Sequence, residues 1–192
     1  MKKSTGENWC QEHLADQKLW RLLEKVDADL AERVRQQGCP ECAGKLHVAD
    51  YERKPRGGPD WDCRHSFCCA QEGCRRRQTP ASVRFLGRRV YAGFIVVLVS
   101  AMMHGLKAAR VRRIRELLGI EERTLERWRA WWLSTFAGSS FWKVERAQFM
   151  PSLCERSLPL SLCVRFDVEE DGRLVALLEF LAPITVASYL AM

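Results

Sequence analysis

The stretch that decides the fold is SFCCAQEGCRRRQTP at residues 66–80, and a shorter piece, CPEC, precedes it at residues 39–42. Together the two pieces hold five of the nine cysteines in the chain. The first residues, MKKSTGENWCQEHLADQ, contain no apolar signal-peptide core, so we expect a cytoplasmic chain whose thiols stay reduced. An odd number of cysteines at Cys-x-x-Cys spacing in such a chain indicates metal binding before disulfide formation.

Four of these cysteines form two pairs with the spacing of zinc ligands. A structural zinc takes four tetrahedral ligands, usually supplied as two close pairs. Cys39 and Cys42 form the first pair, and the second pair ends at Cys74. The spacing of zinc modules favours Cys69 as its partner, with Cys68 as the alternative. Because strand neighbours face opposite sides, Cys68 would then pack against the core. We therefore expect a closed, structural zinc site at Cys39, Cys42, Cys69 and Cys74.

Residues 39–80 have the short alternating pattern of a small antiparallel ribbon. The pieces LHVADYER and DCRHSFCC predict two strand arms, and RKPRGGP at residues 53–59 supplies a basic loop at the tip between them. Cys63 and His65 lie on the second arm; each could bind a metal in principle, but we interpret both as strand residues. About 40 residues enclose too little apolar core to fold alone, so zinc would supply the missing folding free energy.

The segments on both sides of the ribbon have helical periodicity. Apolar residues at steps of three and four predict a helix over residues 11–37, which ends at Gly38. Its apolar stripe consists of Leu19, Leu23, Val26, Leu30 and Val34. Further helices are predicted over residues 90–104, 107–118, 121–136 and 173–181, each closely followed by glycine or proline.

VYAGFIVVLVSAMM, at residues 90–103, is the one segment apolar enough to suggest a membrane span. It has about fourteen residues, whereas a span needs roughly twenty. Basic residues also close it at both ends. We therefore predict a helix buried in the protein core.

The predicted fold class is α+β and mainly α. A zinc ribbon of short antiparallel strands lies between an N-terminal helix and a helix-turn-helix bundle with a helical C-terminal tail. The expected regions are an amphipathic helix at residues 1–38, the zinc ribbon at 39–80, a helix-turn-helix DNA-binding domain at 81–136, and a tail for docking or oligomerisation at 137–192. The tail makes a homodimer one possible assembly.

The net charge of +7 is concentrated in the middle of the chain. Residues 39–135 contain nineteen basic and ten acidic residues, and residues 75–115 contain eleven basic residues and no acidic one. A block of one sign inside an ordered, apolar-rich segment is typical of a surface that binds a polyanion. We expect double-stranded DNA as the partner, and hence a cytoplasmic, nucleoid-associated protein.

The segment RVRRIRELLGIEERTLERWRAWW, residues 110–132, has the pattern of a helix-turn-helix, whose second helix enters the major groove. Gly119 is the predicted turn, and the apolar positions around it are Ile114, Leu118, Ile120, Leu125 and Trp128. Trp131, Trp132 and Phe136 extend this stripe, and we expect them in the core or at a domain interface. Two positions depart from the usual pattern: Arg115 replaces a small residue at the helix crossing, and Glu121 replaces Ser or Thr as the cap.

Basic residues of both modules are the candidate DNA contacts. Arginine can pair with guanine edges and threonine with a base methyl or a phosphate, while other arginines hold the phosphate backbone. The candidate DNA-binding residues are Arg75, Arg76, Arg77, Arg110, Arg112, Arg113, Arg123, Thr124 and Arg127. Glu122 and Arg129 are further candidates on the outer face of the second helix.

The sequence of these motifs resembles a known family. CPEC, then FCCAQEGCRRRQTPASVRF, a helical segment and LLGIEERTLERW together resemble the N-terminal region of bacterial insertion-sequence transposases. They are also similar to small transposon-associated proteins that pair a zinc ribbon with a helix-turn-helix. The resemblance covers residues 39–132. It implies zinc at the four cysteines named above and DNA contacts from residues 122–129.

The chain departs from such transposases after this region. Their RNase H-like domain carries three carboxylates from separate strands, but only 57 residues follow Thr135 here. The acidic residues among them cluster at 167–171, a pattern typical of a solvated turn. We therefore expect no catalysis, and an accessory or regulator that could act with a separate transposase subunit. The alternatives are a transcriptional regulator unrelated to transposition and an RNA- or protein-binding adaptor.

Overall fold

The computed structural model describes residues 17–58, 61–86, 91–102, 112, 115–116, 119–168 and 171–186. Helices predominate, and small antiparallel sheets follow the first helix, so the predicted α+β, mainly α class is confirmed. The described strands are β1 (Leu46–Val48), β2 (Tyr51–Arg53), β3 (Asp62–Arg64), β4 (Phe67–Cys69) and β5 (Arg77–Gln78). The described helices include α1 (Gln17–Gln37), α2 (Gly93–Met102), α3 (Glu122–Ala130), α4 (Ser140–Glu145), α5 (Leu160–Phe166) and α6 (Asp171–Leu181).

Helix α1 forms where the apolar stripe predicts it, and it contributes to two separate cores. Leu19 and Leu23 are buried in a large helical core, whereas Ala31 is buried in a smaller core beneath the ribbon. The helix ends at Gly38, which adopts a left-handed φ of +76°. Residues 11–16 of the predicted helix lie outside the described part of the chain.

The two predicted arms of the ribbon pair with each other along their length. β1 pairs antiparallel with β4, which also pairs with β5, and β2 pairs antiparallel with β3. Each arm therefore contributes one strand to a three-stranded sheet and one to a two-stranded sheet. The buried residues of the small core are Ala31, Cys39, Leu46, Phe67 and Cys69.

The helical body is built around α2. Residues 93–99 of this helix are all buried, which confirms the predicted buried helix, and α2 packs against α3, α5 and α6. Among the described residues, no helix combines the length and apolar character that crossing a membrane requires. The predicted helix at residues 121–136 also forms, as α3 followed by a π-helical segment, Trp131–Phe136.

The turn expected between two helices is described only in part. Arg115 and Glu116 are helical, Gly119 turns with a φ of +59°, and α3 begins three residues later. Ile120, Leu125 and Trp128 are buried in the large core as predicted. Most of the predicted helix at residues 107–118 lies outside the described residues, including Ile114 and Leu118.

The C-terminal region completes the same core. Trp132, Phe136 and Trp142 have no exposed surface, and the Phe136 ring lies 4.9 Å from that of Trp132 and 5.2 Å from that of Trp142. Helix α6 forms over the predicted segment and buries a row of leucines in this core. The regions predicted as a DNA-binding domain and as a C-terminal tail therefore share one hydrophobic core.

A group of buried charged side chains joins the ribbon, α1 and the helical body. The Arg84 guanidinium donates through Nε to Asp27 of α1 at 2.9 Å and through Nη1 to Asp62 of β3 at 2.6 and 2.7 Å. Asp27 also accepts from the Ser82 hydroxyl at 2.6 Å and from the Val83 amide at 2.7 Å. We call Asp27, Asp62, Ser82 and Arg84 the buried ion cluster. It was not foreseen from the sequence, and it fixes the ribbon to the helices.

The substitution Arg84→Ala should destabilise the fold strongly. It would leave two buried carboxylates without their cation, a change that typically lowers the free energy of unfolding by about 3–5 kcal/mol. Urea unfolding followed by circular dichroism measures the loss. Arg35→Ala is the matched control, because Arg35 pairs with Glu32 at the exposed surface and should matter little. Equal stability of the two variants would contradict the proposed importance of the cluster.

Candidate metal centre and nucleic-acid interface

Two tight turns bring the four predicted ligands together. In the first turn, the Cys39 amide donates to the Gly44 carbonyl at 2.9 Å, and the Ala43 amide donates to the Cys39 carbonyl at 2.8 Å. In the second, the Cys74 amide donates to the Gln71 carbonyl at 3.1 Å. The β1–β4 pairing places one turn beside the other, so the spacing of cysteines in the sequence becomes a cluster in space.

The sulfur atoms of Cys39, Cys42, Cys69 and Cys74 all lie within 4.8 Å of one another. The Cys39 and Cys74 sulfurs are 3.7 Å apart, and those of Cys42 and Cys69 are 3.4 Å apart. Four thiolates at the zinc–sulfur bond length would lie about 3.8 Å apart in a tetrahedron. A disulfide would require about 2.05 Å. The spacing therefore fits four reduced ligands around one metal ion.

Backbone amides support each sulfur in the same way. At each of the four sulfurs the amide two residues later acts to lower the thiol pKa: Glu41 for Cys39, Gly44 for Cys42, Gln71 for Cys69 and Arg76 for Cys74. The Gln71 amide donates to the Cys69 sulfur at 3.4 Å. Donors that point at a sulfur stabilise its thiolate form, which is the form that binds metals. This repeat gives the two turns equivalent roles at the candidate centre.

The four thiols differ in the direction in which their pKa values are shifted. The Glu41 and Cys42 amides, helped by the Cys74 thiol, lower the pKa of Cys39 from its usual 9.0 to about 7. At Cys42 the Gly44 amide also acts to lower the pKa, but the Cys69 thiol and burial outweigh it and the pKa is raised. Sulfurs this close resist joint ionisation, and a bound cation removes that resistance.

Gly44 leaves the space that the sulfurs occupy. A Cβ atom at this position would lie 3.2 Å from the sulfur of Cys42 and 3.2 Å from that of Cys69. Both contacts are tighter than ordinary van der Waals distances. The glycine therefore allows the backbone to approach the cluster as closely as it does.

The structure resolves which of two adjacent cysteines joins the cluster. Cys69 is fully buried and pairs with Leu46, whereas Cys68 points to the opposite face of β4. The Cys68 thiol is half-buried and donates to the Arg75 carbonyl at 3.4 Å. Cys69 is therefore the member of the cluster. The expectation that Cys68 packs into the core was wrong, because that face of the sheet is only partly covered.

Cys63 and His65 lie outside this cluster. Cys63 is a strand residue of β3 as interpreted, whereas His65 lies in the short link between β3 and β4, so its interpretation as a strand residue was wrong. His65 Nδ1 is 3.1 Å from Asp50, whose other carboxylate oxygen accepts from the Ser66 amide at 2.8 Å. Burial and the Asp50 carboxylate raise the pKa of Cys63. Asp50 holds the bend between the two parts of the ribbon. Its place in the short link after β1, where aspartate typically bonds nearby amides, could have indicated this role.

The three arginines that follow the second cysteine turn, Arg75 to Arg77, have different surroundings. Arg77 bonds to the Ser66 hydroxyl at 3.0 Å and the Ala49 carbonyl at 2.8 Å, so it is part of the ribbon structure. Arg76 pairs with Glu41 at 2.6 Å on the surface. Arg75 is exposed and forms no ion pair within the described residues. Of the three, Arg75 alone has no side-chain partner in the part of the chain that the structure describes, so it could meet an anion without breaking an existing contact.

The outer face of α3 carries the other predicted contacts. Arg123 and Arg127 are exposed and Thr124 is half-buried, and the Arg127 guanidinium donates to the Thr124 hydroxyl at 3.0 Å. Glu121 makes no side-chain cap, and Glu122 pairs with Arg115 at 2.9 Å. An open groove of about 600 Å³ is lined by Glu121, Arg123, Thr124, Glu126, Arg127 and Ala130. Arg112 and Arg129 are exposed, while Arg110 and Arg113 lie outside the described residues.

No protein-family model, curated protein or solved structure significantly matches this chain.

Replacing Cys69 and Cys68 separately should distinguish a ligand from its neighbour. Cys69→Ser removes one of four sulfurs and should abolish stoichiometric metal binding, which is expected at about one ion per chain. Cys68→Ser, the matched control, should bind as much metal as the unchanged protein. Plasma mass spectrometry of the purified proteins measures the metal content. Equal loss in both variants, or in neither, would contradict the assignment.

Removing the metal should loosen one part of the ribbon only. The amides of Cys69 and Ala70 donate across the cluster to Arg76 and Lys45, each at 2.9 Å, and should exchange hydrogen rapidly after chelation. Amides of α2 belong to the separate helical core and should keep their protection. Hydrogen exchange with and without a chelator tests this contrast, and uniform loss of protection would contradict it.

Proposed function

We propose that this chain is a zinc-stabilised, sequence-specific DNA-binding protein of the mobile-element type. The observation that carries the proposal is the outer face of α3. Arg123, Thr124 and Arg127 lie together on that face, while Leu125 and Trp128 anchor the opposite face in the core. A short helix with a rigid inner face and basic outer residues has the shape that enters a major groove.

Zinc is the metal that we propose for the cysteine cluster. Sets of four thiolates in a tetrahedron suit zinc or iron, and zinc needs no redox chemistry to serve as a structural ion. Four protein ligands leave no position open for a substrate. In this proposal Cys39, Cys42, Cys69 and Cys74 hold the ion, and the two turns they belong to gain a fixed geometry.

The chemistry of the α3 groove favours base contacts. Arg127 is already oriented by its bond to Thr124, which lowers the entropy lost when it pairs with a guanine edge. Glu126 also lines the groove and can accept from a cytosine amino group. Arg112 and Arg129 are exposed and suited to phosphates on either side. The groove thus combines donors and acceptors, as sequence reading requires.

The mobile-element part of the proposal rests on the motif resemblance over residues 39–132. The chain would act as an accessory or regulator beside a separate transposase subunit, bound to DNA in the nucleoid. DNA cleavage is not part of the proposal. Purified protein with Mg²⁺ should leave plasmid DNA intact, and cleavage that depends on Asp167 would refute this point.

Selection from a random duplex pool tests the DNA-binding proposal. The metal-loaded protein should enrich one motif, and Arg127→Ala should lose about 1–3 kcal/mol of discrimination at one position of it. Arg156→Ala is the matched control, because Arg156 is an exposed arginine far along the chain from α3. Sequencing of the enriched pools and fluorescence anisotropy measure the two effects.

Three outcomes of this selection would count against the proposal. A pool without an enriched motif would remove sequence-specific recognition. Equal effects of the Arg127 and Arg156 substitutions would show that α3 is not the reading surface. Tighter binding to RNA than to duplex DNA at every salt concentration would favour the RNA-binding alternative instead.

A further inference from the structure

We propose that the basic tip of the ribbon, Lys54 and Arg56, is a second DNA contact that grips phosphates beside the site of α3. This inference rests on the proposed function and adds a surface to it. The tip is more than a charged loop, because its backbone and side chains are docked against the helical body at defined points. Docking places its cations at a set distance from α3.

Arg56 is the residue that joins the tip to the helices. Its carbonyl accepts from the Ala92 amide at 3.1 Å, directly before α2. Its Nη1 donates to the Tyr91 hydroxyl at 3.2 Å, and its guanidinium carbon lies 5.6 Å from the centre of the Tyr91 ring. The residue is nevertheless exposed, and a guanidinium has five N–H donors. Among contacts with the described residues, the Tyr91 hydroxyl engages one of these donors, which leaves the others to a phosphate.

Tyr91 connects this arginine to α3. Its ring meets the Trp128 indole edge-to-face, with centroids 5.1 Å apart. Trp128 anchors the inner face of α3, so only one ring separates the Arg56 guanidinium from that helix. The distance from Arg56 to the indole is consequently less than the width of a major groove, about 12 Å. Trp128 is on the face of α3 opposite to Arg123 and Arg127, but a major groove is only about 8.5 Å deep and a helix is about 10 Å across. The phosphate ridges beside an inserted α3 therefore reach the level of its inner face, which is the side on which the tip lies.

Packing against α1 holds the tip in place. A Cβ atom at Gly58 would lie 2.7 Å from the Trp20 ring, so this glycine sits directly on the indole. Pro55 is buried, and Gly57 turns with a φ of +78°. A tip fixed in this way loses little conformational entropy when it binds, and this makes its contacts more favourable.

Two basic side chains of the tip are exposed to solvent. The Arg53 guanidinium lies 5.4 Å from the Phe85 ring and is used within the protein. Lys54 and Arg56 are both exposed, and Lys54 has no ion-pair partner within the described residues. Lysine and arginine at such positions neutralise phosphates without reading bases, which suits a contact that flanks the recognition helix.

The dependence of DNA affinity on salt tests this contact directly. Anisotropy of a labelled duplex of about 30 base pairs, roughly three helical turns, gives the slope of log affinity against log salt. Lys54→Ala and Arg56→Gln should each reduce the magnitude of the slope by about 0.9, the loss of one phosphate contact. Lys143→Ala, an exposed lysine on α4, is the control and should keep the full slope. If the Arg56→Gln protein is too unstable to measure, the salt slope of Lys54→Ala alone tests the tip contact.

The labelled duplex contains the motif that the selection from the random pool enriches. If no motif is enriched, the duplex has a random sequence. Unchanged slopes for both tip variants, with weakened binding by Arg127→Ala, would overturn the tip contact and leave the proposed function standing. Reduced slopes for the tip variants with an unaffected Arg127→Ala would support the tip contact and refute recognition by α3. Absence of any duplex binding would overturn both.

Discussion

The rest of the structure depends on the buried guanidinium of Arg84. It lies where α1, the ribbon and the helical body meet, and it bonds to Asp27 and Asp62 from the first two. Removing such ions from water costs several kcal/mol each, so the arrangement is favourable only when every partner is in place. Arg64 is also buried, and its guanidinium donates to the Pro80 carbonyl. Because the partners come from distant segments, those segments must assemble together.

The ribbon is consequently held at its two ends by different chemistry. At one end, four sulfurs gather the turns after Cys39 and Cys69, over a core of only a few apolar side chains. At the other end, Asp62 enters the buried ion cluster and Arg56 docks on Tyr91. The proposed metal would thus stabilise the end where apolar burial is small, while the tip shares the stability of the helical body. The tip can keep its position even when the metal end loosens.

Local patterns predict the parts of this fold, and long-range pairing determines the rest. The stripe of α1, the arms of the ribbon and the choice of Cys69 over Cys68 follow from periodicity and spacing, which are properties of adjacent residues. The pairing of Asp27 with Arg84 joins residues far apart in the chain, and nothing in a run of charges distinguishes a buried arginine from an exposed one. The C-terminal tail was expected to form a docking or oligomerisation surface, but its leucines pack in the large core. The sequence does not separate the two, since a stripe that packs internally has the same period as one that binds a partner.

Whether an arginine is buried or exposed also determines how strongly the basic region, residues 39–135, can attract an anion. Arg84 is paired with two carboxylates in the interior, Arg64 is buried, and Arg77 is bonded within the ribbon, so a count along the chain overstates the surface charge. Screening limits each remaining cation to about 8–10 Å. A cation therefore strengthens binding only where the fold holds it beside the phosphate path. In the proposed function Arg84 would act indirectly: by fixing the ribbon to the helices, it determines which basic side chains stand near α3.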